Sequence, residues 1–247
     1  MKSLAAALSF LTRLPLGWLI GRLVSFDASD VARSAGWFPA VGLLLGTVGV
    51  GVADLLRGHL PPLLVAAILV VLDALLTGAL HFDGLADTAD GFGGGKDRDD
   101  VLRIMRDHAI GSYGGAALAL LVAFKVAAYS ALLGREVWIP AILLTPAVGR
   151  WSILLLTAAL PYARQTASVV RDIGKSALVW GTLTLALALG ASRLWRAGAA
   201  AGAAVVVSVC FGLYCRRRIG GITGDTLGAN LQICECAALL AFLWTAV

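Results

Sequence analysis

Seven stretches of this sequence are apolar for long enough to cross a lipid bilayer: 35–54, 61–80, 114–133, 138–160, 176–192, 197–215 and 231–247. A helix needs about 20 apolar residues to span the hydrocarbon layer. A chain of 247 residues with seven such runs has no water-soluble core large enough to hide them. Composition agrees: 59% of residues are hydrophobic and 14% charged, where a soluble domain has about 25% charged, and the mean hydropathy is +0.87. The expected fold class is all-α, a polytopic integral membrane bundle of about seven transmembrane helices. Residues 1–24 are interrupted by Arg13, Pro15 and Arg22 and show no small-x-small cleavage site. They read as an amphipathic interfacial helix on the membrane surface rather than a cleaved leader. Pro140, Pro146, Gly149 and Arg150 are the residues at which the 138–160 span would break. No repeat, low-complexity tract or linker divides the chain, so residues 1–247 are expected to form a single membrane-embedded domain.

The net charge of +5 does not point to nucleic acid, because the basic residues lie between the apolar runs, where topology signals lie. With the N-terminus inside, Lys2, Arg13, Arg22, Arg33, Lys96, Arg98, Arg103, Arg106, Arg164, Arg171, Lys175, Arg216, Arg217 and Arg218 share the cytoplasmic side. Only Arg57, Arg135, Arg193 and Arg196 fall on the other. This asymmetry predicts a cytoplasmic N-terminus and supports seven crossings. It also places the stretch around residues 83–90, the loop 161–175 and the segment Gly221–Glu235 on one side of the membrane. Cys210, Cys215, Cys234 and Cys236 lack zinc-type spacing and read as small core residues.

The stretch "LHFDGLADTADGFGGGKD" interrupts this apolar pattern. Asp83, Asp87 and Asp90 are spaced i, i+4, i+7 and share one helix face. Like charges so arranged repel, and a divalent cation reverses the sign of that interaction. Hard cations such as Mg²⁺ take carboxylate oxygens and keep waters and substrate phosphates as their other ligands. The glycines that follow, Gly93 and Gly94 among them, allow a phosphate to approach the backbone, although Asp90 and Asp97 stand where a P-loop needs Gly and Ser/Thr. Arg103 and Arg106 on the next helix, and Arg164 in "PYARQTA", are candidate phosphate ligands, since a guanidinium fork matches phosphate oxygens. Asp225 can complete a metal shell begun by the first three aspartates, and Asp225, Gly228, Gln232 and Glu235 fall broadly on one helix side. His81 has no second histidine at metal spacing; it reads as an interfacial side chain or a proton carrier. Three charges lie inside spans: Asp73, Lys125 and Arg150. Asp73 and Lys125 lie at matching depths, which predicts an ion pair between antiparallel neighbours, and Arg150 is expected to face the bundle interior toward the site.

The motifs "HFDGLADTADGFGGG", "RIMRDHAIGSYG", "PYAR" and "GDTLGA", with an early "FLTRLPL", together resemble the cobalamin synthase family, the adenosylcobinamide-GDP ribazoletransferases. The resemblance spans nearly the whole chain. Phe82 stands where many relatives carry an acidic residue, which leaves the aspartate set intact. The resemblance implies a transferase of the late cobalamin pathway in the bacterial inner membrane, using Mg²⁺. In that reaction α-ribazole, or its 5′-phosphate, displaces GMP from adenosylcobinamide-GDP through its 3′-hydroxyl. Transferred to this chain, it implies Asp83, Asp87, Asp90 and Asp225 as metal-binding and catalytic residues. Arg103, Arg106, Arg164, Gly93 and Gly94 would hold phosphate. Expected partners are the two substrates and the lipid bilayer, with a homo-oligomer and late cobalamin-pathway enzymes as further candidates.

Two other readings compete. A CDP-alcohol-type membrane phosphotransferase also arrays aspartates at i, i+4 near a helix end, but its pattern follows Asp-Gly with Ala-Arg, and here Ala86 is followed by Asp87. An ion-coupled transporter would use Asp73, Lys125 and Arg150 as its pathway, yet the remaining charges gather at one face.

Overall fold

The computed structural model describes residues 2–13, 26–107, 109–164, 173–192 and 194–244. It is helical throughout, with one isolated bridge, Tyr162–Ile222, and no named strand among these residues. The elements are α1 (Lys2–Leu11), α2 (Ala28–Ser34), a 3₁₀ turn (Ala35–Trp37), α3 (Phe38–Leu56), α4 (Pro62–Thr77) and α5 (Leu80–Gly94). They continue with α6 (Arg98–Ile104), α7 (Ser112–Leu133), α8 (Trp138–Ala159), α9 (Lys175–Ser192), α10 (Trp195–Ile219) and α11 (Gly224–Leu243). Six helical stretches are long and apolar enough to cross a membrane, and α4 with α5 makes a seventh if the bent pair is one span. The short α1 buries Ala6, Ala7 and Leu11. Of the expected interfacial segment, Lys2–Leu11 is helical; residues 14–25 lie outside the described set.

Contacts at the two ends of the bundle show which loops gather at each. At one end Arg98 donates to the Ile219 and Ala163 carbonyls, and Arg218 to those of Phe92 and Gly95. At the other, the Arg57 guanidinium covers the Trp138 ring, Arg135 donates to the Leu243 carbonyl and Arg196 to that of Trp244. The loop before α4 is at the second end and α5 at the first, so α4 crosses the bundle between them. Its 16 residues rise only about 24 Å, so it is a short span. It ends in a Schellman closure, with Ala79 N–H on the Ala74 carbonyl and Gly78 N–H on that of Leu75. Gly78 and Ala79 are both left-handed, at φ 61° and 56°, and the pair turns α5 by 92° from α4. The apolar run 61–80 thus continues past the end of α4 at Thr77, and the turn explains how α5 leaves the span.

The most buried helices are α8 and α11, while leucines and aromatics such as Leu75, Leu120, Trp180 and Leu187 face outward. An apolar exterior over a tightly packed interior is the arrangement a lipid solvent favours. Gly42 and Gly46 of α3 lie against the α8 backbone at Ala147 and Leu143, leaving no room for a β-carbon. This Gly-x-x-x-Gly contact joins the most intimately packed helix pair. The break considered for 138–160 is absent: α8 is continuous over 22 residues with Pro146 inside it. Burial on all sides holds that helix where its own sequence would bend it.

The charges inside the spans form a four-membered cluster. Lys125 on α7 contacts Glu235 at 2.6 Å and Asp73 on α4 at 3.5 Å. Arg150 on α8 contacts Glu235 closely and Asp73 at 3.5 Å. The Asp73–Lys125 pair is therefore present, but Glu235 is the nearer partner of Lys125. Two expectations are corrected here. Glu235 belongs to the bundle interior rather than to the cytoplasmic-side segment, because α11 begins at Gly224 and carries it inward. Arg150 faces this cluster and not the aspartates of α5. Two cations and two anions balance, which makes the burial tolerable and argues against an open ion pathway.

Candidate active site

The aspartates meet because α5 and α11 touch backbone to backbone. A β-carbon on Gly84 would stand 2.8 Å from the Asp225 carbonyl oxygen, and one on Gly228 3.3 Å from His81 Cα. A β-carbon at Gly84 would collide with that backbone and one at Gly228 would crowd it, and the approach carries Asp83 and Asp87 of α5 up to Asp225 of α11. Asp87 is partly buried, is repelled by Asp83, Asp225 and Asp90 and is attracted by Arg164. Asp83 is exposed; Asp87 and Asp225 are half-buried.

Arg164 reaches this cluster from the loop after α8. Ala163 N–H donates to the Ile222 carbonyl at 2.8 Å and Ile222 N–H to that of Pro161 at 2.9 Å. This short parallel pairing fastens "PYAR" to the turn that starts α11. The Arg164 guanidinium then donates to Asp225 at 2.9 Å. Thr223 and Thr226 form a capping box at the start of α11, and Asp225 lies in its first turn, where a negative charge is stabilised by the helix dipole.

Asp90 does something different. It is 9% exposed, and its two oxygens accept from Gly111 N–H at 2.7 Å and Gly114 N–H at 2.8 Å. It therefore caps α7 from a neighbouring helix and fixes the height of α5 against it. Each oxygen keeps a further lone pair. Local sequence does not signal this cap, because it joins residues 21 and 24 positions apart. A β-carbon on Gly114 would collide with the Asp90 carboxylate. Gly114→Ala is accordingly expected to destabilise the protein by about 1–3 kcal/mol, the cost of an unmet buried acceptor plus overpacking. Thermal unfolding in detergent measures it; a wild-type midpoint would refute the cap.

The other candidates lie apart from the cluster or are packed. Arg103 is exposed and held by Asp100 at 2.6 Å, and Arg106 is exposed. Gly93 lies under the Tyr113 ring, and Gly94 is exposed with Ile104 as its neighbour. His81 is buried, 4% exposed, rather than interfacial. Among the described residues no three acidic, histidine or cysteine side chains form a ready-made metal cage. The donor set is nonetheless oxygen-only, net negative and open. That suits Mg²⁺, which takes one or two protein carboxylates and completes its shell with water and substrate phosphate.

Carboxylates and an arginine gathered at one end of a multi-pass helical bundle define a membrane-embedded enzyme. The comparisons with known proteins agree on which kind. The profile of the cobalamin-5-phosphate synthase family matches residues 3–243, and the chain belongs to that family. It is 40% identical to a protein of Syntrophobacter fumaroxidans over 95% of both chains. It is 39% identical to one of Klebsiella pneumoniae subsp. pneumoniae over 98% of this chain and 100% of the relative. A Rhizobium etli relative is 41% identical over 96% of this chain and 94% of its own. All three are named adenosylcobinamide-GDP ribazoletransferase. No solved structure matches the chain significantly.

Proposed function

We propose that this protein joins adenosylcobinamide-GDP to α-ribazole, or to α-ribazole 5′-phosphate, and releases GMP. The observation that carries the reading is the meeting of Asp83, Asp87, Asp225 and Arg164, drawn from three separate motifs, in a full-length relative of enzymes bearing that name. The basic residues segregate to the end of the bundle that holds this cluster, so that end and the N-terminus face the cytoplasm of a bacterial inner membrane.

The ribazole hydroxyl attacks the cobinamide-linked phosphorus. A new P–O bond forms, the bond from that phosphorus to the bridging oxygen breaks, and GMP leaves with the bridging oxygen. Arg164, already held at Asp225, turns its guanidinium to the diphosphate and orients it for attack. Asp83, Asp87 and Asp225 are the residues that would hold Mg²⁺, with Asp90 keeping their helix in place. Bound Mg²⁺ supplies charge neutralisation on the diphosphate oxygens. A cluster carboxylate not engaged in that role takes the hydroxyl proton.

The test uses purified protein in nanodiscs with adenosylcobinamide-GDP, α-ribazole and Mg²⁺. GMP and a new corrinoid are expected in equal amounts, and EDTA is expected to stop both. Turnover of a CDP-alcohol in place of this pair would overturn the assignment.

A further inference from the structure

A cavity of about 280 Å³ opens beside the aspartates, and Asp83 and Asp225 line it. Apart from His81 the rest of its wall is apolar: Phe10 of α1, Phe38 of α3, Leu80 of α5, Ile153 of α8, Leu227 of α11 and Ile173 in the segment before α9 are part of it. Phe10 and Phe38 lie nearly parallel, 17° apart, with ring centres 6.0 Å from each other. The one uncharged hydrogen-bonding side chain in the lining is His81. It is 4% exposed, and its Nε2 has no hydrogen-bond partner among the described residues. A buried polar atom left unpaired is costly and asks for a partner.

We propose that this cavity seats the base of the incoming nucleoside, a benzimidazole, with His81 as its hydrogen-bonding contact. The inference rests on the reaction proposed above. Of the ring systems in that reaction, a benzimidazole riboside alone has an almost wholly apolar edge: one unsubstituted ring nitrogen, which accepts one hydrogen bond. Guanine carries donors and acceptors around its rim. Carboxylates can only accept, so its carbonyl oxygen and its unprotonated ring nitrogens would be left to His81 alone, and desolvated polar atoms without partners weaken binding. The corrin macrocycle is too large for a cavity of this volume. With the base held here, the attached ribose lies at the side lined by Asp83 and Asp225, where its hydroxyl must be delivered.

Two variants test this. Leu80 is 43% exposed, so Leu80→Trp fills the cavity from a position that tolerates bulk; His81→Phe keeps a ring and removes the polar contact. Binding of α-ribazole is titrated through its benzimidazole fluorescence, independently of turnover. Each variant is expected to weaken binding and raise the KM for α-ribazole about tenfold, while the KM for adenosylcobinamide-GDP changes by less than about twofold. A rise confined to the adenosylcobinamide-GDP KM, or weaker inhibition by GMP, would assign the cavity to guanosine and overturn the proposal. Unchanged riboside binding in both variants would also overturn it, even if wild-type protein transfers ribazole normally. A wild-type protein that binds the riboside, loses it in the variants and yet releases no GMP would instead uphold the cavity and remove the reaction.

Discussion

Asp87→Asn will lower the rate of GMP release by about a hundredfold or more, in line with the loss of a group that manages charge in a transition state, and will leave the protein at least as stable as wild type. The two halves of this result belong together. Asp87 has no hydrogen bond or ion pair among the described residues, and its charge is disfavoured first by partial burial and then by the like charges of Asp83, Asp225 and Asp90, against the attraction of Arg164. Removing its charge therefore costs no native contact and relieves repulsion. Sites of this kind exchange stability for function. GMP release measured beside thermal unfolding, both in nanodiscs, separates the possibilities. An Asn variant that keeps most of its activity would remove Asp87 from the chemistry. One that loses activity by unfolding would make Asp87 a structural residue.

Glu235→Leu is expected to be the most destabilising change in the bundle, at about 3–5 kcal/mol, the usual consequence of stranding buried charges. The side chains of Lys125 and Arg150 are 2% and 0% exposed, and Glu235 is the closer anion for both. Without it, Asp73 at 3.5 Å would face two cations alone. Against a total stability of about 5–15 kcal/mol, that loss shows as poor yield and a sharply lowered midpoint. The double variant Lys125→Met with Glu235→Leu leaves Arg150 and Asp73 as a balanced pair, and is expected to recover most of the loss. If the single variant unfolds at the wild-type temperature, the cluster is incidental. If the double variant is no better than the single, charge balance is the wrong explanation.

Much of this was legible along the chain because it depends on local properties. The number of spans follows from runs of apolar residues, and the segregation of Arg57, Arg135 and Arg196 to the end opposite the aspartates follows from charges in the loops. The face shared by Asp83, Asp87 and Asp90 follows from helical periodicity. The family was legible from "HFDGLADTADGFGGG" and its companion motifs. Less legible was what each aspartate does. Asp90 has the same register as its neighbours, yet it faces two amides of α7, and nothing in residues 81–95 announces Gly111 and Gly114.

The sequence by itself determined that this protein lives in a bilayer, which end gathers its polar residues and to which family it belongs. All of these are sums over neighbouring residues. The tertiary structure alone decided which polar residues meet. The approach of Gly84 to Gly228 sets Asp225 beside Asp87, the turn at Gly78 and Ala79 aims α5 across the bundle, and the depth of Glu235 sends it to Lys125 rather than to the site. Contacts between distant segments depend on how closely two backbones can pass, and that is settled by the absence of a β-carbon at a few crossings.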